Sequence, residues 1–336
     1  MGIFQMVNDI GQADFTIDEI ASYSGADPVL IERIMRSLIV SGLFTVTPGN
    51  SYKPNDSVKG LCEGGALKNM ITFIHDVTAL ISQKLPEFLA ITGYQNPKNV
   101  NLCPFQYSFN TEDRFYDWLA AKPMLYKAFC GMMEATEKLV LRWLDIFPAS
   151  KRFESYRGPG ATRMLQLVDV AGGIGHNLQY LLDEIPDLKA NLVLQDVPEV
   201  LKNKVDTNKG EIQIMPHDIF QPQPIKGADV YVLRRVLHNW PDNECQQILG
   251  HIRDAMESNS ILLIHDRIFP ENGGEISSAD VSLDLSMMML FGSMERTEKQ
   301  FTTLLQSVGL ELVHIWKAEK EARCQEGVIE VTRSKG

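Results

Sequence analysis

From residue 165 onward, short runs of consecutive apolar, often β-branched residues alternate with longer stretches whose apolar residues recur three and four apart. Unbroken apolar runs read as strands buried on both faces, and the 3.6-residue spacing reads as helix, so the alternation predicts a parallel sheet. The expected strands are 165–169, 191–196, 212–218, 228–236 and 260–267. The expected helices are 177–184, 242–256, 283–290 and 297–308, the last stopped by Gly309. Two closing runs, 310–316 and 328–332, predict an antiparallel pair at the end of the sheet.

Upstream the pattern changes. Thr16 with Glu19 three residues on is a capping box, and a Gly25-Ala-Asp27-Pro28 turn leads into residues 29–40, apolar at helical spacing. Two short strand-like segments then flank Pro48-Gly-Asn-Ser, completing a helix, turn, helix and wing. Residues 66–147 are helical in pattern throughout, and 151–163 are polar with glycines, a linker. The expectation is a mostly α, winged-helix-like domain over 1–150 and an α/β domain over 160–336, a Rossmann-like sheet with helices on both faces.

Charge changes what the wing means. The first 60 residues hold four Lys/Arg against seven Asp/Glu, and the whole chain carries −11 with a pI near 5.2, so neither nucleic acid nor an acidic membrane is an expected partner. The 336 residues are 44% hydrophobic, ample for a core. Five scattered cysteines without a Cys-x-x-Cys pair read as reduced thiols with no zinc site. No basic-then-apolar leader or membrane-length apolar run is found, so a cytoplasmic protein is expected.

The candidate chemistry starts at Asp169-Val-Ala171-Gly172-Gly173-Ile-Gly175, where a strand enters a turn only glycine tolerates, ahead of a helix N-terminus. A second acid, Asp196, ends the next strand 21 residues after Gly175, placed for a ribose diol. A dinucleotide and S-adenosylmethionine (SAM) both fit such a turn. An acid before it repels a pyrophosphate and suits a sulfonium and an ammonium, which favours SAM. Asp218, His238 and Asp266 also stand at strand ends, where open α/β sheets bind ligands. His238 alone reads equally as a turn-capping histidine or a base. The run Phe129-Cys-Gly-Met132-Met133 reads as core or as the wall of a pocket for a flat, apolar ligand.

Four ordered blocks carry a resemblance: Asp169-Val-Ala-Gly-Gly-Ile-Gly, Leu194-Gln-Asp196-Val-Pro-Glu-Val, Leu233-Arg-Arg-Val-Leu-His238-Asn-Trp-Pro-Asp242, and Met294-Glu295-Arg-Thr297. With the winged-helix start, the chain resembles the SAM-dependent O-methyltransferases of the plant caffeate type, most closely their fungal secondary-metabolite relatives. The resemblance implies His238 as general base, flanked by Asp266 and Glu295. It implies cofactor contacts at Asp169, Gly172, Gly173, Gly175, Asp196, Val197, Asp218, Ile219 and Arg234. It puts a substrate wall at Phe129, Met132, Met287, Met288 and Phe291. It further implies methylation of a hydroxyl on an apolar aromatic or polyketide-like small molecule, S-adenosylhomocysteine as product, and a homodimer formed through the N-terminal domain. Three features depart from the family: Asn239 where it usually has Asp, Ala171 in place of a glycine, and a start at Met1 where relatives normally carry several tens of residues more. Some fungal members of the fold bind SAM and catalyse dehydration or pericyclic cyclisation instead. A fixed cation replaces the base in these, and Arg267 is a spare cation for that alternative.

Overall fold

The computed structural model describes all residues except 138–139, 159, 203–211, 272–273, 318–324 and 335–336, so Cys324 and parts of the expected 123–147 helix and 151–163 linker lie outside the described residues. The chain divides into two compact units, one of residues 1–80 and 116–139, the other of residues 81–115 and 140–336.

In the first unit, helices Ile3–Ile10, Ile17–Ser24 and Pro28–Val40 precede a hairpin of β1 (Phe44–Val46) and β2 (Tyr52–Pro54). The capping box is present: Thr16 Oγ1 accepts from the Glu19 N–H at 3.3 Å, while Glu19 Oε2 accepts from the Thr16 N–H at 2.7 Å. Asp27 caps the next helix by accepting from Val29 and Leu30 N–H, with Pro28 preset for the first helical position. Phe15, Ile20, Ile31, Met35 and Phe44 are fully buried together, so the apolar spacing of 15–44 lies inward. Helix Ala66–Phe73 packs along Pro123–Glu137, with the Asn69 side chain lying close over Gly131.

The second unit is built on an eight-stranded sheet. Its strands are β3 (Leu165–Val170), β4 (Ala190–Asp196), β5 (Ile212–Pro216), β6 (Val230–Arg234), β7 (Ile261–Phe269), β8 (Arg296–Thr297), β9 (Leu310–Lys317) and β10 (Glu326–Arg333). The order is β5-β4-β3-β6-β7-β10-β9, parallel through β7, with β8 continuing beside the end of β7. The closing pair is antiparallel as expected, and β10 inserts between β7 and β9. Alternate strand residues feed two cores. Val168, Val170, Tyr231 and Leu233 pack with helices Asp242–Arg253 and Glu298–Ser307 on one face. Leu165, Leu167, Val230 and Val232 pack with Trp143–Ile146 and His176–Glu184 on the other. This is the α/β sheet covered on both faces that the unbroken apolar runs demanded.

One helix is longer than its apolar pattern. Ser278–Phe291 starts before residue 283 because Ser277 caps it, accepting from Asp280 N–H, and its polar first turn has no apolar signal. Among the described residues no helix is long and apolar enough to cross a membrane.

Candidate active site

The turn after β3 is shaped by backbone no ordinary residue prefers. Gly173 has φ 63° and Gly175 φ 95°, and Ala171, the non-glycine departure, takes φ 54°. A left-handed alanine costs about 1–2 kcal/mol, so the turn holds strain. Gly172 is needed for space: a Cβ would run into the Asp169 carboxylate and reach 2.7 Å from Leu194. Gly175 begins helix His176–Glu184 with no side-chain cap, leaving the first-turn N–H groups uncapped by any side chain.

Asp196, half-buried at the end of β4, ties the turn down. Its Oδ2 accepts from Gly173 N–H and its Oδ1 from Val197 N–H, both at 2.8 Å. Asp169 is fully buried; Oδ2 accepts from Asn177 Nδ2 at 3.4 Å and Oδ1 has no hydrogen-bond partner. Burial drives its pKa up to about 7, against the weaker opposing pull of Asn177 and the Arg234 charge. Arg234, ending β6, donates from Nε to His265 Nδ1 at 3.1 Å, and Glu326 Oε2 stands 3.1 Å from the other ring nitrogen. Asp218 is exposed and accepts from Phe220 N–H at 3.0 Å, while Ile219 packs against the core beside it.

The second cluster joins the turn past the end of β6 to β7 itself. Asp266 lies within that strand and not at its end as expected, because pairing with β10 and β8 carries β7 on to Phe269. His238 lies in the tight turn Leu237–Asn239 with its side chain 9% exposed, and Nδ1 is 2.9 Å from Glu295 Oε1. The carboxylate holds the proton on Nδ1 and leaves Nε2 as an acceptor. Burial alone would depress the imidazole pKa; the Glu295 and Asp266 carboxylates outweigh it and raise the value above 6.5. Asp266 is itself buried, neither oxygen has a hydrogen-bond partner, and desolvation pushes it up to about 7. Asn239 turns away from this chemistry, donating to the Arg235 carbonyl at 3.2 Å, a bond for which its amide supplies the hydrogen.

Arg267 is held by carboxylates, with Nη1 left without a hydrogen-bond partner. Its Nε donates to Asp280 Oδ1 at 2.9 Å and Nη2 is 3.6 Å from Glu326 Oε1, with the side chain 15% exposed. The polar start of helix Ser278–Phe291 hid this partner. That helix packs against the His238 turn and carries Met287, Met288 and Phe291. Met287 is buried and Met288 half-buried, and the Phe291 ring meets Phe115 edge-on at 5.2 Å. Phe129 and Met132 belong to the other unit, where Phe129 packs on Phe73 and Tyr116. The sequence gives no role to His265, whose signal is a polar residue inside an apolar run, to Glu326, which precedes the expected strand 328–332, or to Arg296.

A family profile for the O-methyltransferase domain matches residues 101–311. Methyltransferase cfoC of Aspergillus candidus is 36% identical over 334 residues, covering 99% of this chain and 81% of that protein. A demethylsterigmatocystin 6-O-methyltransferase of Aspergillus parasiticus is 32% identical, covering 93% and 78%. A solved structure described as a pericyclic reaction enzyme superposes with TM-score 0.85 at 26% identity, covering 99% of this chain and 86% of its own. LepI in complex with SAM gives TM-score 0.85 at 26% identity, covering 99% and 85%.

Two expectations follow from the buried acids. Asp169 has a folded pKa near 7 against an ordinary value of 3.8, so the folded state binds the extra proton between those values and stability falls as pH rises across them. Asp169→Asn should therefore raise the Tm of the ligand-free protein at pH 8, by about 2–4 °C for each kcal/mol of desolvation relieved, while weakening SAM binding; calorimetry checks both. Glu295→Gln removes the main upward influence on His238. Its imidazole should then titrate at lower pH than in the wild type, as followed by NMR.

Proposed function

The chain belongs to the O-methyltransferase family, whose cofactor is SAM, and from that premise we propose that it methylates a hydroxyl of an apolar aromatic or polyketide-like small molecule, with His238 as general base. The carrying observation is the buried His238–Glu295 pair, with Nδ1 2.9 Å from the carboxylate, beside Asp266. The cofactor residues fit the family's group. The partnerless Asp169 oxygen sits behind a turn with no room for a Cβ, and a cationic ligand offsets a buried carboxylate where a phosphate repels it. Asp196 offers a carboxylate to a diol, and Asp218, Ile219, Val197 and Arg234 line the same strand ends.

SAM supplies an electrophilic methyl on a sulfonium and leaves as S-adenosylhomocysteine. In our reading His238 Nε2 accepts the proton of the substrate hydroxyl as that oxygen forms its new bond to carbon. Glu295 supports the imidazolium, and Asp266 adds negative charge on the ring's surroundings. A base of this kind contributes roughly 10²–10⁴-fold, and alignment of the reactants supplies the rest. The Met287, Met288 and Phe291 helix beside the His238 turn supports an apolar, flat substrate, as does the demethylsterigmatocystin relative.

Similarity to a pericyclic reaction enzyme favours a second reading, SAM-bound cyclisation without methyl transfer. The buried base pair and the engagement of Arg267 by two carboxylates weigh against it. Incubation with methyl-labelled SAM and a panel of phenols and polyketides decides between them. Label should pass to product in the wild type, and His238→Ala should lose that activity by about 10²–10⁴-fold while still binding SAM. Product without label or S-adenosylhomocysteine would establish the second reading instead.

We also assign a homodimer to this protein, formed through the N-terminal unit. Met70, Ile71, Ile74 and Leu80 there are 36–52% exposed, a run of large apolar side chains that a second copy would cover. Sedimentation at micromolar concentration should give twice the 37.8 kDa chain mass, and a monomer would contradict the assignment.

A further inference from the structure

Residue 296 immediately follows the acid that binds the imidazole, yet nothing in the chemistry above uses it. Arg296 is 1% exposed, and a guanidinium that deep is retained only where its donors are satisfied. Nη1 donates to the Leu237 carbonyl at 2.9 Å and Nη2 to the Trp240 carbonyl at 2.8 Å. Nε and Nη2 both reach Asp242 Oδ1, at 3.1 and 2.7 Å. Leu237 directly precedes His238, and Trp240 stands two residues after it. The same two carbonyls are approached by Cys245 Sγ at 3.3 and 3.2 Å, and Trp240 O also accepts from Ser293 Oγ at 2.8 Å.

We propose that Arg296 is a positioning residue for the base: its fork grips the backbone on both sides of His238 and holds the turn in register with Glu295. One dipeptide then fixes the histidine twice, Glu295 through the ring and Arg296 through the main chain. The anchorage of 295–296 is itself firm. Glu295 N–H donates to Asp284 Oδ1 at 2.8 Å, and Arg296 pairs with Ile268 in the extension of the sheet. Only a planar fork reaches two carbonyls and a carboxylate at once; an ammonium has the charge without the spread. Asp242, with its side chain 61% exposed, orients the guanidinium from the solvent side. A slip of the turn lengthens the 2.9 Å contact on which the elevated basicity of His238 depends.

The inference rests on His238 being the base, but its test needs no substrate, so it fails separately from the methyl-transfer assay. In the full-length protein, the imidazole nitrogens of His238 are titrated by NMR, assigned by loss of their signals in His238→Ala. The charged groups acting on the ring are Glu295, Asp266 and Arg235. Arg296→Lys and Asp242→Asn leave all three in place. Arg296→Lys also keeps the local net charge, so its titration reports the ring's distance from them; for Asp242→Asn, which removes a charge, the exchange of the Nδ1 proton reports the contact with Glu295. Both variants should lower the protonation constant of His238 by about threefold or more and speed exchange of its Nδ1 proton, with SAM affinity by calorimetry unchanged. An unaltered His238 titration overturns the proposal. A drop in SAM affinity parallel to the shift also overturns it, because that marks general loosening of the fold. Where Arg296→Lys does not fold, Asp242→Asn decides alone, since the exposed carboxylate is replaced by an amide that keeps an acceptor.

Discussion

Negative charge held out of water at the strand ends is the constraint on which the site depends. Asp169 and Asp266 are buried with carboxylate oxygens that no donor satisfies, and Glu295 keeps one such oxygen. Desolvation of this kind costs several kcal/mol per ion unless a counter-charge appears. For Glu295 the counter-charges are the Arg267 guanidinium and the His238 imidazolium, the latter formed only when the ring takes a proton. For Asp169 the Arg234 guanidinium offsets part of the cost, and the remainder is left for a cationic ligand. The ligand-free protein is thus held short of its electrostatic minimum on both sides of the site, which favours the charged states that binding and proton transfer create.

Backbone strain falls in the same place. Five non-glycine residues take positive φ among those described, and two of them, Ala171 and Arg235, directly follow β3 and β6. These are neighbouring strands at the middle of the sheet, paired from Leu167–Val230 to Val170–Leu233. One strained residue turns the chain into the glycine loop; the other redirects it toward His238, with Arg235 N–H held by the His265 carbonyl at 2.8 Å. The sheet's packed faces, where Val168, Tyr231 and their neighbours are fully buried, over-determine the strand ends enough to hold both turns.

Much of this was legible in the chain. Strand–helix alternation identified the α/β sheet because buried parallel strands are apolar without interruption, and the glycines with Asp169 and Asp196 marked the turn because few residues can occupy it. Less visible was anything set by pairing across distance. Arg267 reads as a spare cation until Asp280 and Glu326 are seen beside it, 13 and 59 residues away. The compact units likewise do not follow the chain order, since residues 81–115 group with the sheet while 116–139 return to the first unit. Helical periodicity shows that those segments bury one face and is silent about which neighbour covers it. The role of Asn239 also needed the fold, as only the position of the Arg235 carbonyl shows where its amide is spent.

The two halves of the site share one electrostatic spine. The Arg234 charge acts on Asp169 at the glycine turn, and its Nε donates to His265. His265 is kept neutral by burial, which leaves Nδ1 free to accept, and the Glu326 carboxylate beside it is drawn down to about 2, chiefly by that histidine against the cost of burial. Glu326 in turn bears on Asp266, the acid whose charge acts on His238. Placing His265 and Asp266 consecutively on β7 sends one side chain toward each cluster, as strand alternation requires. The pleat of a single strand therefore links the charge behind the glycine turn to the charge behind His238.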